Sequence, residues 1–499
     1  MSPALTNLKH IIVLMMENRS FDHVLGALRQ QDQRIDGLTG NEWNPDTTGA
    51  EIKVAPQAEF QSQLDPDPGH HYPDVDIQLF SNSPDHVSPT MQGFIEAYFQ
   101  QRKDVNHSHK VMNYFTPDKL PVVTTLARKY AVFNRWFSSL PGPTIPNRAF
   151  AHFGTSFGHT DMNVFYVREK YLSVYERMQN AGRTAKIYYY DQQSSTIGVV
   201  FLLKTQPQLF GTYDQFLSDC GAGTLPDYCF IEPNYTDHDT DDGEALASDE
   251  HPDHDVQAGE EFVASVYNAV RSSPVWNNTA LLIVYDEHGG IFDHVPPPSC
   301  TPDEFSDPTT GFKFDRLGVR VPAILVSPWV PEGAVISPLN ADGTVDGPRV
   351  FEHASIPNTV TDFFIGDYDA RTDREKKSET FLDLLSLPEP RTDAFTFNIG
   401  GSAAAAHARV LGAAAGAGAA PSANAISIPK ATAAINPDRP LSGLLRDHVD
   451  QLHTAELSLP LDQQTDIDVQ TIRTEGEASE YIRRVTAKLH YRGVAAPVH

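Results

Sequence analysis

Short apolar runs, each bounded by polar or turn-forming residues, recur along the chain as far as residue 327. Apolar runs of this length between such boundaries are typical of buried β-strands. Stretches with helical spacing lie between several of these runs. An alternation of strands and helices is typical of an α/β fold in which helices flank a largely parallel central sheet. The predicted strands are His10–Met16, Tyr130–Phe133, Ala185–Tyr190, Tyr228–Ile231, Leu281–Tyr285 and Pro322–Ser327.

One interval between two strands has clear helical spacing. In Gly259–Arg271, apolar residues recur at intervals of three and four positions, and Pro274 ends the pattern. Proline soon after a periodic stretch is a signal for the end of a helix. The predicted helix leads directly into the strand Leu281–Tyr285, as a strand–helix–strand order requires.

Composition changes sharply near Ile399. Of the 23 residues in Ala403–Ala425, 13 are alanine. This composition favours a flexible linker, with an alanine-rich helix as the alternative. Short amphipathic helices are predicted after it, over Leu441–Leu452 and Ser479–Leu489. We therefore expect a main domain over residues 1–398, a linker over 399–437 and a small helical C-terminal segment over 438–499.

The chain is strongly acidic. Its 38 Lys and Arg residues and 65 Asp and Glu residues give a formal net charge of −27, and the basic residues are scattered. A chain with this charge and no basic patch repels a phosphate backbone. Nucleic acid is therefore excluded as the expected partner.

The sequence also limits the cellular compartments in which the protein is expected. It contains no apolar stretch near the ~20 residues that a membrane span needs, and its first apolar run, Ile11–Met16, is too short for a signal peptide. Three cysteines, Cys220, Cys229 and Cys300, exclude a disulfide scaffold and a four-cysteine zinc site, so free thiols are the simplest interpretation. We expect a cytoplasmic protein with at most peripheral membrane contact, or a secreted one if a leader precedes this sequence.

Two acidic pairs directly follow two of the predicted strands. Glu17-Asn18 follows the first strand, and Asp286-Glu287 follows the fifth. The ligand crevice of an open α/β sheet lies beyond the carboxyl ends of its strands, so both pairs are expected at one crevice. Their oxygens are hard ligands that suit one divalent ion, Ca²⁺, Mg²⁺ or Mn²⁺. The alternative is that each pair only solvates the end of a strand.

A proline-rich segment, Leu140–Arg148 (LPGPTIPNR), surrounds Thr144. Proline fixes φ and lacks an N–H donor, so the segment predicts a stiff loop. A stiff loop can hold a hydroxyl in place, as a nucleophile requires, and a bound divalent ion would lower the pKa of that hydroxyl. The alternative is a proline-rich turn in which Thr144 has no special role.

Histidines cluster with acidic residues at two further places. Asp237–Asp255 holds nine carboxylates and three histidines, among them His251 in SDEHPDHD, and His70 lies in DPDPGHHYP. The first segment is not an EF-hand, because Gly243 comes one position late and Ser248 stands where that loop needs glutamate. A solvated acidic loop and purely structural histidines are the alternatives.

One competing pattern is that of a serine esterase. Residues 154–158 (GTSFG) match the nucleophile-elbow motif, and Ser156, Asp286 and His353 have the expected order along the chain. The elbow needs a strand directly before it, whereas residues 147–153 (NRAFAHF) contain no β-branched run. A Ser156 esterase is therefore the less favoured alternative.

Several motifs, taken together, resemble one family. They are, in chain order, ENRSFDH, PGPTIPNR, SDEHPDHDV, YDEHGGIFDHVPPP, RLGVRVPAILVSPW and FEHASIPNTV. These motifs are similar to those of the phosphoesterase family of phosphatidylcholine-type phospholipases C and acid phosphatases. DPDPGH and EHASIPNTV resemble the plant-type non-specific phospholipases C most closely. The resemblance covers roughly residues 8 to 390 and implies an alkaline-phosphatase-like α/β fold.

The resemblance also implies roles for individual residues. Thr144 matches the nucleophile, and His251 and His70 match histidines that contact the phosphate or transfer protons. Arg148 and His353 are expected to bind the substrate. The metal ligands would be Glu17, Asn18, Asp286 and Glu287.

The activity that the resemblance implies is metal-dependent hydrolysis of phosphoric esters. A phospholipase C cleaves a phospholipid or related phosphodiester to diacylglycerol and a phosphorylated headgroup, here through a phospho-threonine intermediate. An acid-phosphatase-type phosphomonoesterase is the alternative within the same superfamily. A catalytically silent metal-binding module is the alternative from another functional class.

Overall fold

The structure is a computed structural model of the chain, in which a central sheet and its flanking helices form the core. It describes residues 2–61, 63–81, 83, 87–162, 170–191, 194, 196, 207–240, 243–345, 347–393, 395–400, 407, 410, 425–428, 430–431, 433–441, 443–457 and 459–490.

Helices and strands alternate along most of the described chain. The helices are α1 (Pro3–Asn7), α2 (Phe21–Val24), α3 (Tyr72–Phe80), α4 (Phe94–Arg102), α5 (Val105–Ser108), α6 (Pro121–Lys129), α7 (Thr144–Phe153), α8 (Val174–Asn180), α9 (Tyr213–Ala222), α10 (Val256–Ser272), α11 (Ser355–Phe364), α12 (Asp373–Lys377), α13 (Gly443–Leu457) and α14 (Glu475–His490). The strands are β1 (His10–Met16), β2 (Trp43–Pro45), β3 (Glu51–Lys53), β4 (Ala131–Phe133), β5 (Ala185–Tyr189), β6 (Phe210–Thr212), β7 (Tyr228–Glu232), β8 (His238–Thr240), β9 (Gly243–Ala245), β10 (Thr279–Tyr285), β11 (Ala323–Val326), β12 (Ala334–Ile336), β13 (Thr396–Asn398) and β14 (Ala425–Ser427).

The central sheet is mixed but largely parallel. Its strand order is β12-β4-β11-β10-β1-β7-β5-β6. β11 runs antiparallel to both of its neighbours, β10 and β4. The other neighbouring pairs are parallel. The predicted fold class is therefore confirmed.

The two strands at the centre of the sheet follow from their sequences. β1 and β10 are almost wholly apolar and buried, as parallel strands covered by helices on both faces must be. They pair in parallel along their full length, from His10 opposite Thr279 to Met16 opposite Tyr285. The two strands therefore end side by side.

Each predicted strand is confirmed: β1 has the predicted bounds, and the ends of the other strands are shifted by at most two residues. In the central sheet the prediction missed β6 and β12, and outside it the short strands of the two-stranded sheets, because most strands of three residues show no distinct apolar run. The predicted helix Gly259–Arg271 lies within α10. That helix begins earlier because Asp255 accepts a hydrogen bond from the Gln257 N–H and caps its N-terminus.

The C-terminal segment forms two helices that pack on each other. α13 and α14 share a small apolar core that includes Leu445, Val449 and Tyr481. Both predicted helices are thereby confirmed with shifted bounds. The predicted linker over 399–437 lies mostly outside the described residues, and within it β14 pairs in parallel with β13. The domain boundaries stay a prediction.

The three cysteines are free thiols, as their number and spacing predicted. Cys220 and Cys229 are buried free thiols, and Cys300 is a partly buried one. Among the described ranges, no helix combines the length and the apolar character that crossing a bilayer requires.

Candidate active site

The two acidic pairs meet at one edge of the central sheet. Glu17 and Asn18 follow β1, while Asp286 and Glu287 follow β10, its parallel neighbour. The Asn18 N–H donates to Asp286 Oδ1 over 3.1 Å, and all four side chains are fully buried. The structure thus brings together the four residues predicted as metal ligands, as the order of the strands requires.

Asn18 has an unusual backbone conformation. Its φ of 54° lies in the left-handed region, which asparagine tolerates better than most residues because its short polar side chain can hydrogen-bond locally. The sharp change of direction after β1 turns the Asn18 N–H toward Asp286. Asparagine at position 18 therefore suits the left-handed backbone conformation that directs this N–H toward Asp286.

Arg148 joins the two acidic pairs. Its Nη2 donates to Glu17 Oε1 over 2.9 Å, and its Nε donates to Asp286 Oδ2 over 3.1 Å. The side chain is fully buried, and its Nη1 makes no hydrogen bond within the described part of the chain. One guanidinium group therefore holds the ends of β1 and β10 together and keeps one nitrogen available to a ligand.

Thr144 is the first residue of α7. Its hydroxyl donates to Asn18 Oδ1 over 3.4 Å, and Arg148 lies four residues on, along the same helix face. The expectation of a loop over Leu140–Arg148 is wrong from Thr144 onward. Pro146 does not prevent the helix, because the N–H groups of a first helical turn have no partner within the helix.

One side chain holds the segment before Thr144. Asn147 Nδ2 donates to the carbonyl oxygens of Gly142 and Pro143 over 2.8 Å and 3.0 Å. Its Oδ1 accepts from the Leu140 N–H over 3.1 Å. Because α7 begins directly after Pro143, these bonds fix where the Thr144 hydroxyl stands.

The acidic pairs carry uncompensated negative charge. Arg148 pairs with Glu17 and Asp286, whereas Glu287 forms no ion pair with an Arg or Lys side chain in the part of the chain that the structure describes. Burial raises the pKa of Glu17 well above its usual value, although Arg148 opposes the shift. Burial, with the neighbouring Asp286, does the same to the pKa of Glu287. A bound cation would allow all three groups to stay ionised.

The chemical type of the donor atoms suits a divalent ion. Glu17 Oε2 and Glu287 Oε1 are buried oxygens that make no hydrogen bond within the described ranges. The two excess negative charges of the group equal the charge of one divalent ion. Donors that are all oxygen atoms suit Ca²⁺, Mg²⁺ or Mn²⁺.

His251 and His70 form a second group around Asp67. Asp67 Oδ2 lies 3.3 Å from His251 Nε2 and 3.5 Å from His70 Nδ1. On the other side of its ring, His251 Nδ1 donates to Asp253 Oδ1 over 2.8 Å. Both predicted histidines therefore lie in one polar cluster, as neighbours whose ring centres are 6.3 Å apart.

The chain directly after Asn18 connects this cluster to the acidic pairs. Arg19 donates from Nε to the Glu250 carbonyl oxygen over 2.6 Å and from Nη2 to that of His251 over 3.1 Å. The Glu17 N–H also donates to the carbonyl oxygen of Asp249 over 2.9 Å. The end of β1 thus holds the histidine loop in place.

The pKa values of the two histidines are shifted in opposite directions. Burial opposes protonation of His251, but Asp67 and Asp253 outweigh it and raise its pKa to about 10. Burial lowers the pKa of His70 well below its usual value. The His70 Nδ1–H donates to the Pro68 carbonyl oxygen over 3.0 Å, which leaves Nε2 as an acceptor. A proton donor and an acceptor therefore stand side by side, which is the usual requirement of acid–base chemistry.

The span of the chain that holds both groups matches a known family. The sequence profile of the Phosphoesterase family matches residues 8–365. The chain belongs to the Phosphoesterase family. It is accordingly a hydrolytic enzyme that acts on phosphoesters, and the resemblance drawn from its motifs is confirmed.

Two proteins of Arabidopsis thaliana are similar to most of the chain. Non-specific phospholipase C6 of Arabidopsis thaliana is 40% identical over 398 residues, which are 77% of this chain and 74% of that protein. Non-specific phospholipase C1 of the same plant is 39% identical over 406 residues, which are 77% of this chain and 72% of that protein. Among solved structures, a protein of the alkaline phosphatase superfamily from Vibrio parahaemolyticus matches with a TM-score of 0.31 and 9% identity, over 51% of this chain and 62% of that one.

In this phosphoesterase, the His353 side chain contacts the site through the backbone carbonyl group of Asp286. Its Nε2–H donates to the Asp286 carbonyl oxygen over 2.5 Å, and its Nδ1 accepts from the Trp136 indole N–H over 3.4 Å. Burial lowers the pKa of His353 to about 4, so the ring is neutral. The side chain holds Asp286 in place, and its expected contact with the substrate stays a prediction.

Ser156 has the wrong setting for a nucleophile elbow. It follows the helix α7, rather than a strand, and Gly154 ends that helix with a φ of 72°. The Ser156 hydroxyl donates to the carbonyl oxygen of His159 over 2.7 Å. The esterase alternative therefore loses the structural context it needs.

Sequence reasoning missed several side chains around the site. Asp67 and Asp253 lie within three positions of His70 and His251, and these short spacings were a usable signal. The Tyr235 ring lies 5.6 Å from the guanidinium carbon of Arg148. In turn, His448 of α13 packs edge-on against Tyr235, with ring centres 5.2 Å apart. Nothing in the pattern of α13 indicated this contact. The side chains that the sequence did not reveal are therefore Asp67, Asp253, Tyr235 and His448.

Proposed function

We propose that this phosphoesterase is a phospholipase C, which cleaves phospholipids or related phosphodiesters to diacylglycerol and a phosphorylated headgroup. The observation that carries the proposal is the Thr144 hydroxyl on Asn18, beside carboxylates that Arg148 joins. The names of the Arabidopsis relatives support a phospholipid substrate. Thr144, Asn18 and Arg148 form the centre of the proposed reaction.

Thr144 is the proposed nucleophile. Its hydroxyl releases a proton to water, Oγ1 attacks phosphorus, the bond from phosphorus to the diacylglycerol oxygen breaks in line, and the phosphoryl group stays on Thr144 with its headgroup. Water then cleaves the threonine ester and releases the phosphorylated headgroup. Positioning and charge stabilisation dominate this class of reaction. Nη1 of Arg148, which has no hydrogen-bond partner among the described residues, is the proposed donor to a phosphoryl oxygen.

His251 is the proposed acid. It is protonated at neutral pH and can pass its proton to the departing diacylglycerol oxygen. His70, with its acceptor nitrogen, is the group suited to receive the proton of the water that hydrolyses the intermediate. Asp67 and Asp253 hold the His251 ring between them.

Glu17, Asn18, Asp286 and Glu287 are the proposed ligands of one divalent ion. When bound, the ion supplies positive charge that favours the threonine alkoxide and the phosphoryl oxygens. The same residues also position Thr144 and Arg148 through the contacts described above.

Replacement of Thr144 tests the proposal. Thr144→Ala should lower kcat with p-nitrophenyl-phosphocholine by roughly three to six orders of magnitude, because it removes the nucleophile. Ser156→Ala is the matched control and should leave the rate almost unchanged. Wild-type activity in Thr144→Ala, or loss of activity in Ser156→Ala alone, would contradict the assignment.

A substrate panel separates the phosphodiesterase from the phosphomonoesterase. Phospholipids, p-nitrophenyl-phosphocholine and p-nitrophenyl phosphate are compared with and without a chelator. A phospholipase C should prefer the diesters and lose activity in the chelator. A preference for the monoester would indicate the acid-phosphatase type, and activity that resists chelation would contradict the metal.

A further inference from the structure

A third polar cluster lies behind His251 and includes a residue of the C-terminal segment. Asp253 and His254 come from the loop before α10, whereas Glu475 is the first residue of α14. One possible ligand atom from each of the three lies within 4.8 Å of the other two. All three residues are buried.

A hydrogen bond decides which atom of His254 faces the cluster. Nδ1 lies 2.6 Å from Asp249 Oδ1, and an ionised carboxylate can only accept, so Nδ1 carries the proton. In the neutral imidazole, Nε2 then carries the lone pair, and it lies 3.5 Å from Glu475 Oε1 and 3.9 Å from Asp253 Oδ1. A carboxylate on the far nitrogen of a histidine is the arrangement that usually supports a metal-bound imidazole.

Two of the atoms that face one another make no hydrogen bond. His254 Nε2 and Glu475 Oε1 are both buried and without a hydrogen-bond partner among the described residues. Arg439 lies 3.3 Å from the other oxygen of Glu475, Oε2, which leaves Oε1 directed at His254. Two buried acceptor atoms that face each other are costly unless a metal ion or a proton lies between them.

We propose that Asp253, His254 and Glu475 bind a divalent ion of the first transition row, such as Zn²⁺, at a site separate from the four catalytic ligands. One imidazole with two carboxylates suits Zn²⁺ or Mn²⁺ better than Ca²⁺ or Mg²⁺. Tetrahedral zinc holds its ligand atoms roughly 3.4 Å apart. The spacings of 3.5 Å and 3.9 Å therefore need only a small contraction.

The ion links the C-terminal segment to the catalytic residues. It joins the start of α14 to the loop that carries His251. Asp253 Oδ1, one of its ligand atoms, also accepts the hydrogen bond from His251 Nδ1. The ion therefore positions His251 through Asp253 and touches neither substrate nor nucleophile.

Zinc content tests the site directly. The full-length protein is stripped with a chelator, loaded with Zn²⁺ and freed of unbound ion, and zinc per chain is measured. Glu475→Gln should hold one zinc ion fewer than the wild type. Glu477→Gln is the matched control, because Glu477 is exposed on the same helix and accepts from the Arg473 N–H over 2.7 Å; it should match the wild type. A Glu475→Gln protein with the wild-type zinc content would overturn the proposal and leave a proton on His254 as the charge that holds the cluster.

The wild type alone provides a second test that does not depend on the folding of a variant. The four catalytic ligands offer only oxygen atoms, or an amide nitrogen, whereas the proposed site offers an imidazole. X-ray absorption of the zinc-loaded wild type should therefore detect a histidine ligand. Spectra with oxygen ligands alone would overturn the second site and leave the catalytic proposal untouched.

Discussion

Arg148 is the residue on which the buried charges of the active site depend. Its guanidinium group pairs with Glu17 and Asp286, and all three side chains are excluded from solvent. Removing one partner of a buried ion pair leaves the other uncompensated. With a chelator present, Arg148→Met should lower the free energy of unfolding by about 3–5 kcal/mol.

Denaturant unfolding measures this effect against a surface pair. Arg34 pairs with Asp32 in an exposed position, where its side chain is 54% accessible. Arg34→Met should cost less than about 1 kcal/mol, because water screens exposed ion pairs. An equal loss of unfolding free energy in the two variants would show that the buried Arg148 ion pairs stabilise the protein no more than an exposed pair does.

His294 lies in a separate buried network and predicts a pH dependence of stability. Burial opposes its protonation, but Asp22, whose Oδ2 is 2.6 Å from Nδ1, outweighs it and raises the pKa to about 10. Arg320 fills the space between Asp22 and Asp293, so an ion is not needed there. Because the folded-state pKa is above the ordinary value of about 6.5, the stabilisation is full below pH 6.5 and is lost as the pH rises toward 10.

Substitution of His294 isolates that dependence. The stability difference between the wild type and His294→Gln should be on the order of a few kcal/mol at pH 6 and should shrink steadily toward pH 10. Unfolding curves at several pH values measure it. A difference that stays constant, or grows with pH, would show that His294 is not held as an imidazolium.

The turn after β10 is the element that brings the segments of the site together. Gly289 has a φ of 64°, and a Cβ there would lie 2.2 Å from the Asn18 carbonyl oxygen. A Cβ at Gly290 would lie 2.6 Å from the carbonyl oxygen of Gly69, next to His70. Glycine is needed at both positions because backbone from two other site segments packs against this turn.

Gly289→Ala should therefore impair catalysis as well as stability. Displacing Asn18 moves the partner of the Thr144 hydroxyl, and a shift near 1 Å can cost about a hundredfold in kcat. The control is Gly182→Ala, at a φ of 68° with nothing within 4 Å of the added Cβ. That variant should lose about 1 kcal/mol and keep its kcat. Steady-state kinetics with full activity in Gly289→Ala would contradict the role given to this turn.

The same elements explain what the sequence could predict. β1 and β10 were recognisable because both are continuous apolar runs, and their acidic ends identified the edge of the sheet where they meet. The helix from Thr144 was not predicted, because prolines hid its first turn. The pairing of Asp67 with His251 depends on how two long loops fold over that edge, which no local pattern encodes.

In the molecule as a whole, both the negative charge and the C-terminal segment contribute to the surroundings of the active site. Part of the net charge of −27 is concentrated in the buried acidic pairs, where a divalent ion would compensate it. Helices of the C-terminal segment contribute His448 to the surroundings of Arg148, through Tyr235, and Glu475 to the cluster behind His251. Residues distant in sequence thus support the same active site.

Trapping the proposed intermediate on the intact enzyme is the most direct test of Thr144 as the nucleophile. The protein is mixed with p-nitrophenyl-phosphocholine, quenched in acid during turnover, digested and analysed by mass spectrometry. If Thr144 is the nucleophile, the peptide that contains it should carry a phosphocholine group, and the corresponding peptide of Thr144→Ala should carry none. Turnover without any adduct, or an adduct on another residue such as His251 or Ser156, would contradict it.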